Sequence, residues 1–348
     1  MTPDAPRVAV VVLNWNGLAH TRACLASLAR QAWQDLEVHV VDNASANGEA
    51  DALAAEFGGR VRLHRAERNL GFTGGCNLAL RVVLAEGRCR YVALLNNDAE
   101  AEPEWVAALV ASAEADPRIG LVASRMVFHA DPTRIENAGV HVLSNGDNAP
   151  RGRHAPAERF AAPAELVAAC GGALLARVAT LQEVGLLRED FFANFEDVDL
   201  SLRTAVAGWR IVYAPAAIVR HHLNASIVKV RDLGFDVRSV RNATWAFFVN
   251  APAPVIALNL PWFVLCNLAI LAVMPLLGRT DVARAFWRGR LQAWRERDAI
   301  RAERARLQPL RRASWLGLWW RERSYLVEYL RILLLRLRGQ RTRILARA

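Results

Sequence analysis

The first hundred residues alternate between short apolar runs and longer stretches whose apolar residues recur at helical spacing. The apolar runs occupy residues 7–13, 36–41, 61–63 and 91–95. The first run is continuous and rich in valine, which is typical of a strand buried on both faces. Strand and helix therefore alternate at least four times, and this pattern predicts an α/β fold with a mostly parallel, doubly wound sheet.

Polar residues follow these runs, at the places where a ligand site is expected. In open α/β sheets, ligands bind outside the carboxyl ends of the strands. Asn, Asp and Gly also form turns and cap helices, so a purely structural role is the alternative at each position. The polar residues at or just beyond the predicted strand ends are Asn14, Asn16, Asp42, Asn43, Asn69, Asn97 and Asp98.

Two of the predicted strand ends offer ligands for a cation. Asp98 closes a buried strand, and a divalent cation that holds a diphosphate needs one or two carboxylate oxygens of this kind. The tandem histidines His221 and His222 could supply an imidazole ligand. The alternatives are a helix cap for Asp98 and hydrogen-bonded loop histidines.

A segment that combines aromatic residues with paired acids provides candidates for acid–base chemistry. In residues 191–203, Glu196 and Asp197 adjoin three phenylalanines, so at least one carboxylate is expected in a partly desolvated place. Asp199 and Arg203 lie four residues apart on one predicted helix, and this spacing predicts a surface ion pair. Glu196 and Asp197 have no basic partner at that spacing.

Several functional classes are disfavoured by what the sequence lacks. Residues 69–77 contain glycines that open a helix and could bring backbone N–H groups close to an anion, but they do not form G-x-G-x-x-G. A nicotinamide-dependent enzyme is therefore disfavoured. The only lysine, Lys229, follows no glycine loop, which excludes a P-loop NTPase. Five cysteines without a C-x-x-C pair argue against a disulfide framework and a zinc cage.

Seven short motifs, taken in order, resemble those of family 2 glycosyltransferases of the GT-A fold, particularly the rhamnosyltransferase-like branch. The resemblance extends from about residue 7 to residue 226. The motifs are Leu13-Asn14-Trp15-Asn16-Gly17, Asp42-Asn43-Ala44-Ser45, Asn69-Leu70-Gly71-Phe72, Leu94-Leu95-Asn96-Asn97-Asp98, Cys170-Gly171-Gly172-Ala173-Leu174-Leu175, Phe195-Glu196-Asp197-Val198-Asp199-Leu200 and Gly208-Trp209.

This resemblance implies a Rossmann-like GT-A domain that transfers a sugar from a nucleotide diphosphate donor, dTDP- or UDP-linked, with inversion and with Mg2+ or Mn2+ as cofactor. It implies that Asp197, with Glu196 beside it, is the general base, and that Asp98 and His221 lie at the metal. By position, the donor would meet Asn14, Asn16, Asp42, Asn43, Asn69, Gly71 and Asn97, and the acceptor side would include Gly171, Gly172 and Trp209.

The implied acceptor is a lipid-linked or growing cell-surface glycan, such as a polyisoprenoid-linked one, and rhamnose is one candidate for the sugar. The sequence departs from the acid-rich form of the metal motif at Asn96 and Asn97, so Asp98 is the only charged ligand in it. This departure keeps a second interpretation open, in which the protein is a non-catalytic nucleotide-sugar-binding or scaffold protein of the same fold.

The net charge of +10 is unevenly distributed along the chain. Residues 279–348 contain 19 arginines and 6 acids, whereas residues 1–278 contain 25 basic and 28 acidic residues. Residues 242–278 contain no charged side chain. We therefore expect a catalytic domain in residues 1–240, an apolar segment in residues 241–278 and a basic amphipathic helical tail in residues 279–348.

The apolar segment and the tail predict a membrane-associated C-terminal extension. Residues 255–277 are long enough to span a bilayer, but the basic tail and a nucleotide-sugar domain both belong on the cytoplasmic side. Four prolines also interrupt the segment. We therefore expect a re-entrant or interfacial hairpin, with buried core helices as the alternative.

Tryptophan and leucine interleaved with arginine suit an anionic membrane surface better than nucleic acid, and a homo-oligomer is a further possibility for the tail. The N-terminal residues lack a signal-peptide pattern. The expected location is the cytoplasmic face of the bacterial inner membrane, with peripheral or monotopic attachment.

Overall fold

A ten-stranded sheet organises most of the molecule. The computed structural model describes residues 6–143, 146–222 and 232–314. Within these ranges the strands are β1 (Val8–Asn14), β2 (Leu36–Asp42), β3 (Arg62–Arg65), β4 (Tyr91–Asn96), β5 (Ala99–Ala101), β6 (Ile119–Phe128), β7 (Ile135–Asn137), β8 (Val140–Val142), β9 (Asn148–Pro150), β10 (Ala164–Glu165), β11 (Ala173–Arg177) and β12 (Arg210–His221).

The main path of the sheet follows the order β10-β12-β6-β11-β4-β1-β2-β3, with β5 and β7 paired on β12 and β6. Strands β3, β2, β1, β4, β6 and β12 run in one direction, and β11 is antiparallel between β4 and β6. The predicted mostly parallel α/β sheet is therefore confirmed, with one antiparallel strand near its centre. Strands β8 and β9 form a separate two-stranded sheet.

Helices cover both faces of the sheet, which is why its central strands are apolar throughout. On β1, Val8, Val10 and Val12 point into one core, whereas Ala9 and Val11 point into the other. A strand with two buried faces needs a continuous apolar run rather than an alternating one. The helices are α1 (Leu18–Leu28), α2 (Glu49–Phe57), α3 (Gly71–Glu86), α4 (Trp105–Glu114), α5 (Val178–Val184), α6 (Glu196–Val206), α7 (Leu233–Asn250), α8 (Ala253–Leu276), α9 (Thr280–Arg295) and α10 (Arg297–Leu307).

Helix α7 runs continuously across residue 240, where the sequence analysis placed a boundary. Its buried residue Asn250 donates a hydrogen bond of 2.9 Å to Oδ1 of Asp199 on α6. Asp199 also binds Arg203 at 2.8 Å, as the spacing predicts, but both side chains are buried. The expectation of a surface ion pair is therefore wrong, because α7 and the carbonyl groups of residues 184–186 enclose the pair.

The loop before α6 has a strained backbone that α7 holds in place. Phe192, Asn194 and Phe195 have φ values of 61°, 69° and 68°. Residues other than glycine rarely adopt this left-handed backbone region. The side-chain amide of Asn242 on α7 lies 2.9–3.2 Å from the carbonyl oxygens of residues 191, 193 and 194. Nδ2 of Asn194 in turn donates to Ser239 at 2.8 Å. These bonds fix the start of α6.

The apolar segment forms one long, largely exposed helix. Among the described residues, α8 is the one helix long and apolar enough to cross a membrane, and 11% of its most apolar 18-residue window is buried. It is therefore not a core helix of the described molecule. Pro252 caps α8 and Pro254 lies in its first turn, where a missing N–H costs little. Residues 253–276 form one continuous helix, so the hairpin expected within residues 241–278 is not present in the structure; α9, which follows that segment, packs back against α8. The tail beyond residue 314, with Trp315, Trp319 and Trp320, lies outside the described residues, as do residues 223–226 at the end of the region that carries the family resemblance.

We predict that Asn242→Ala lowers the thermal stability, because the carbonyl groups of the strained loop lose their shared donor. Two lost hydrogen bonds of about 1 kcal/mol each correspond to a fall in Tm of about 5 °C. Differential scanning calorimetry would measure the shift, with Gln34→Ala as a control at an exposed amide. An unchanged Tm would show that the loop keeps its conformation without the Asn242 amide.

Candidate active site

A cavity of about 340 Å3 lies at the carboxyl ends of the central strands. It lies between the ends of β1, β4 and β12 on one side and the start of α6 on the other. Its walls combine amide, carboxylate and imidazole side chains with the aromatic rings of Trp15, Phe72 and Phe192. Ten of the residues proposed from the sequence line this cavity: Asn43, Asn69, Gly71, Asn97, Asp98, Gly171, Gly172, Glu196, Asp197 and His221.

The first turn of α6 contributes two carboxylates, of which that of Glu196 is buried and that of Asp197 is half-buried. Oδ2 of Asp197 accepts a hydrogen bond of 2.9 Å from the backbone N–H of Gly171, and its Oδ1 accepts one from Val198. Burial raises the pKa of the Asp197 carboxyl, and these two backbone hydrogen bonds partly oppose the rise. Burial and the neighbouring Asp197 raise the pKa of Glu196 as well. Carboxylates in this setting have an increased proton affinity.

Oε2 of Glu196 is buried and has no hydrogen-bond partner among the described residues. Buried acceptors are rarely left in this condition, and an exception is expected where a ligand completes the site. Asp197, by contrast, is oriented by two backbone donors. The pair therefore consists of one fixed carboxylate and one that is open to a partner.

A second group of titratable side chains lies at the ends of β4, β7 and β12. Nε2 of His221 is 3.1 Å from Oδ1 of Asp98, and its Nδ1 is 3.6 Å from Oε2 of Glu136. Burial disfavours the charged imidazole, but the two carboxylates outweigh this effect and raise the pKa of His221 to about 9. In this arrangement the positive charge of protonated His221 compensates the negative charges of the buried Asp98 and Glu136.

The residues of this second group fit a divalent cation. Carboxylate oxygen suits Mg2+ and Mn2+, and neutral imidazole is the commonest metal ligand in proteins. A cation would compensate Asp98 and Glu136 in place of the proton on His221. Nδ1 of His221 makes no hydrogen bond to a described residue, although the carboxylate of Glu136 faces it at 3.6 Å. His222 lies outside the cavity, where its Nε2 is 3.1 Å from Glu100 beside His129.

The N-terminus of α3, which lies at the cavity like that of α6, already uses its first backbone donors. The N–H of Leu70 donates to Asn43, that of Gly71 to Asn69, and that of Thr73 to the carbonyl of Phe192. These amides do not form the open anion site expected from the glycines. Gly71 is needed for another reason: its φ is +71°, and a Cβ there would lie 2.3 Å from the carbonyl oxygen of Phe192.

Three proposed donor-binding residues lie beside the cavity rather than in its walls. Asn14 is buried and donates to Asp42 at 2.9 Å, to Ser45 and to Glu49, while its Oδ1 accepts from Thr21. Asp42 also accepts the N–H of Ser45. Oδ1 of Asn16 accepts the N–H of Ala46 at 2.8 Å. In the structure, these side chains connect the ends of β1 and β2 and the loop that follows.

The structure does not bring Trp209 to the cavity. Its ring packs against the core on the α5 and α6 side, and its Nε1 donates to Glu183 at 2.7 Å. The expected acceptor-side role of Trp209 is not supported by this position. Gly171 and Gly172 do line the cavity, and a Cβ on Gly171 would lie 3.1 Å from Cβ of Asp197. A small residue at position 171 therefore gives Asp197 its space.

Sequence reasoning missed residues that the region 129–165 brings to the site. This region has scattered prolines and charges and no clear periodicity, yet its short strands bring Glu136, Asn137 and Pro150 to the cavity, and the turn after β9 brings Arg153. Arg153 lies 3.6 Å from Glu136. The only signal in the sequence was an acid flanked by Ile135 and Asn137, which is too common to identify a site.

Comparisons with known proteins agree with this architecture. The model of the family "Glycosyl transferase family 2" matches residues 9–181. An N-acetylglucosaminyl-diphospho-decaprenol L-rhamnosyltransferase of Mycobacterium tuberculosis (strain H37Rv) is 28% identical over 241 residues, which are 61% of this chain and 75% of that protein. The uncharacterized protein y4gI of Sinorhizobium fredii is 29% identical over 238 residues. That match covers 64% of this chain but a quarter of the length of y4gI.

Two solved structures share the fold. The mannosyltransferase PcManGT from Pyrobaculum calidifontis, in complex with GDP-Man and Mn2+, has a TM-score of 0.53 at 19% identity and covers 88% of this chain and 86% of its own. GalNAc-T7 with UDP, GalNAc and Mn2+ has a TM-score of 0.57 at 16% identity, over 71% of this chain and 48% of its own. The predicted GT-A fold is thus confirmed. Family model, relatives and fold together show that the chain is a glycosyltransferase of family 2, similar to the mycobacterial L-rhamnosyltransferase.

Proposed function

We propose that the protein transfers a sugar from a nucleotide diphosphate donor to a lipid-linked or growing cell-surface glycan, with inversion at the anomeric carbon. This proposal rests on one observation: the same cavity is lined by Asp197 and Glu196 at the start of α6 and by Asp98 and His221 at the strand ends. Such a cavity offers a proton acceptor for the attacking hydroxyl and a cation site for the departing diphosphate.

Asp197 is the proposed general base. An acceptor hydroxyl is a weak nucleophile until its proton is removed as the new bond forms, and a positioned base contributes about 100- to 10,000-fold. The acceptor oxygen would bond to the anomeric carbon while the bond from that carbon to the diphosphate breaks. The proton would pass to Asp197, whose raised pKa increases its affinity for that proton. Attack from the side opposite the leaving group inverts the configuration.

Asp98 and His221 are proposed to hold a divalent cation, Mg2+ or Mn2+, at the diphosphate side. When bound, such a cation supplies charge stabilisation for the departing nucleoside diphosphate. The amides of Asn43 and Asn69, which meet at 2.9 Å in the cavity wall, are proposed to position the donor. Asn14, Asn16 and Asp42 would act on the donor indirectly, by holding the strand ends that form this wall.

The acceptor and donor proposals draw on the names of relatives. The mycobacterial relative is named as an L-rhamnosyltransferase that acts on N-acetylglucosaminyl-diphospho-decaprenol. This name supports rhamnose as a candidate sugar, and a dTDP-linked or UDP-linked form is the proposed donor. It also supports an acceptor that is carried on an isoprenoid diphosphate. The crystallised neighbours contain UDP or GDP-Man, and each contains Mn2+.

The exposed helix α8 and the basic C-terminal region support attachment to a membrane. Leu265, Leu268 and Leu276 on α8 are 56%, 58% and 85% exposed. A contiguous apolar surface of this kind along a 24-residue helix is unfavourable in water. Arginines follow directly in α9 and α10. We propose that the molecule lies on the cytoplasmic face of the membrane, where nucleotide sugars and anionic lipids are both available.

We expect Asp197→Asn to reduce sugar transfer by at least about 100-fold, because the substitution removes the base and keeps its shape. Donor binding, measured by titration calorimetry with dTDP- and UDP-sugars, should change little. Glu196→Gln is the matched comparison at the neighbouring carboxylate and should retain more activity than Asp197→Asn. Near-normal turnover by Asp197→Asn would rule out this base.

We expect Asp98→Ala to weaken donor binding in buffer with Mn2+, since the cation site loses its carboxylate. In EDTA the variant and the parent protein should bind the donor equally weakly. Glu100→Gln serves as the control, because Glu100 lies outside the cavity beside His222. If Asp98→Ala kept the parent affinity in Mn2+, a metal site at Asp98 would be excluded.

A further inference from the structure

A cluster of three polar side chains lies outside the cavity, where β5 meets the ends of β6 and β12. We call it the edge cluster: it consists of Glu100 on β5, His129 directly after β6 and His222 directly after β12. Nε2 of His222 lies 3.1 Å, and Nε2 of His129 lies 3.3 Å, from the same oxygen, Oε1 of Glu100. Two imidazole nitrogens and one carboxylate oxygen therefore converge on a single point.

The backbone fixes the members of the edge cluster relative to one another. Strands β5 and β6 both pair with β12 at its last residue, His221. The N–H of His222 donates to the carbonyl oxygen of Asp98 at 2.9 Å, and the N–H of His129 donates to that of His221 at 2.9 Å. The imidazole rings of His129 and His222 stack, with their centroids 3.6 Å apart. The cluster therefore follows from the pairing of three strands.

The spacing of these atoms matches the coordination shell of a metal ion. The three candidate ligand atoms all lie within 4.8 Å of one another. A tetrahedral ion with bonds of about 2.0–2.1 Å holds its ligand atoms about 3.3 Å apart, close to the two N–O distances in the cluster. The side chains of Glu100, His129 and His222 are 29%, 38% and 30% exposed. An ion can therefore enter from solvent, and water can complete its coordination.

The surroundings leave the carboxylate of Glu100 to the histidines. Among the described residues, the ion-pair partners of Glu100 are the two histidines of the cluster, not an arginine. Arg220, which lies opposite Glu100 on β12, binds Glu102 instead, at 2.7 Å. His20 of α1 lies beside the cluster, with its ring centroid 5.2 Å from that of His222. Three of the eight histidines of the chain therefore lie at this edge of the sheet.

Two imidazoles and one carboxylate favour a transition metal. Zn2+ is bound in proteins by His nitrogen and by Asp or Glu oxygen, and three such ligands are often joined by one water. Mg2+ prefers an octahedral shell of oxygen atoms, and sites that contain nitrogen ligands hold Mn2+ less tightly than Zn2+. The edge cluster therefore differs in ligand type from the cation site proposed in the cavity, where one imidazole, that of His221, faces the carboxylates of Asp98 and Glu136.

We propose that the edge cluster is a zinc site, in which Glu100, His129 and His222 bind Zn2+ and water completes the coordination. Bound Zn2+ joins three segments of the chain at the edge of the sheet: β5 and the ends of β6 and β12. His221 at the end of β12 is buried and lines the active-site cavity, whereas the three zinc ligands do not line it. The site is thus separate from the proposed sugar transfer, and it stabilises this edge of the fold.

Titration calorimetry with Zn2+ tests the proposal on the full-length protein in neutral detergent, after treatment with EDTA and dialysis. Glu100→Gln and His129→Ala should each weaken Zn2+ binding by at least about tenfold, because even residues that only support a metal ligand contribute that much. Glu104→Gln is the matched control, since Glu104 is exposed shortly after β5 and lies outside the edge cluster. The two test variants lie on different strands, so if one fails to fold the other decides the question.

Asp98→Ala separates the edge cluster from the cation site proposed in the cavity. In the Asp98→Ala background, Zn2+ should still bind, and the further substitution Glu100→Gln should remove this binding. Zn2+ at about 100 times its Kd should raise the Tm of Asp98→Ala by about 4 °C, because it binds the folded state alone. The Tm of the double variant should stay unchanged.

Three results would overturn the zinc site. The first is that the parent protein does not bind Zn2+, and the second is that the parent protein, Glu100→Gln and His129→Ala bind it with equal affinity. The third is the loss of all Zn2+ binding in Asp98→Ala, which would place the ion in the active-site cavity alone. These measurements involve neither a sugar donor nor an acceptor, so the proposed function and the zinc site can fail independently of each other.

Discussion

The position of the α6 carboxylates depends on a strained loop that is held by a helix from the C-terminal part of the chain. Phe192, Asn194 and Phe195 adopt left-handed backbone conformations, each of which costs about 1–3 kcal/mol. The amide of Asn242 offsets part of this cost through three carbonyl oxygens. The strain turns the chain sharply into α6, so that Glu196 and Asp197 enter the cavity instead of following the outer surface. The catalytic domain and the helical extension therefore share α7 as a structural element.

Burial has opposite consequences on the two sides of the cavity. At Asp197 it raises the pKa of a carboxyl that two backbone donors hold in place, so proton affinity and orientation are set together. At His221 it opposes the charged imidazole, and only the adjacent Asp98 and Glu136 keep the pKa high. The proposed base and the proposed cation site have contrary electrostatic needs, and the cavity of about 340 Å3 separates them between α6 and the strand ends.

The sequence predicted most of the sheet and the polar side chains at its strand ends, because both depend on local patterns. It could not predict the antiparallel insertion of β11 between β4 and β6, which depends on pairings between distant residues. The spacing of Asp199 and Arg203 indicated their ion pair, but its burial depends on α7. Asn242 and Glu136 were missed for the same reason, since a single amide in an uncharged stretch or a single acid in an irregular region has no local signature.

The central claim is that an acceptor hydroxyl activated by Asp197 attacks the donor sugar from the side opposite the diphosphate. The anomeric configuration of the product, compared by NMR with that of the nucleotide-sugar donor, tests this claim most directly. The proposed mechanism predicts a product of inverted configuration, because Asp197 on α6 and the proposed cation site at Asp98 and His221 lie on different elements around the cavity. A product that retains the donor configuration would contradict it.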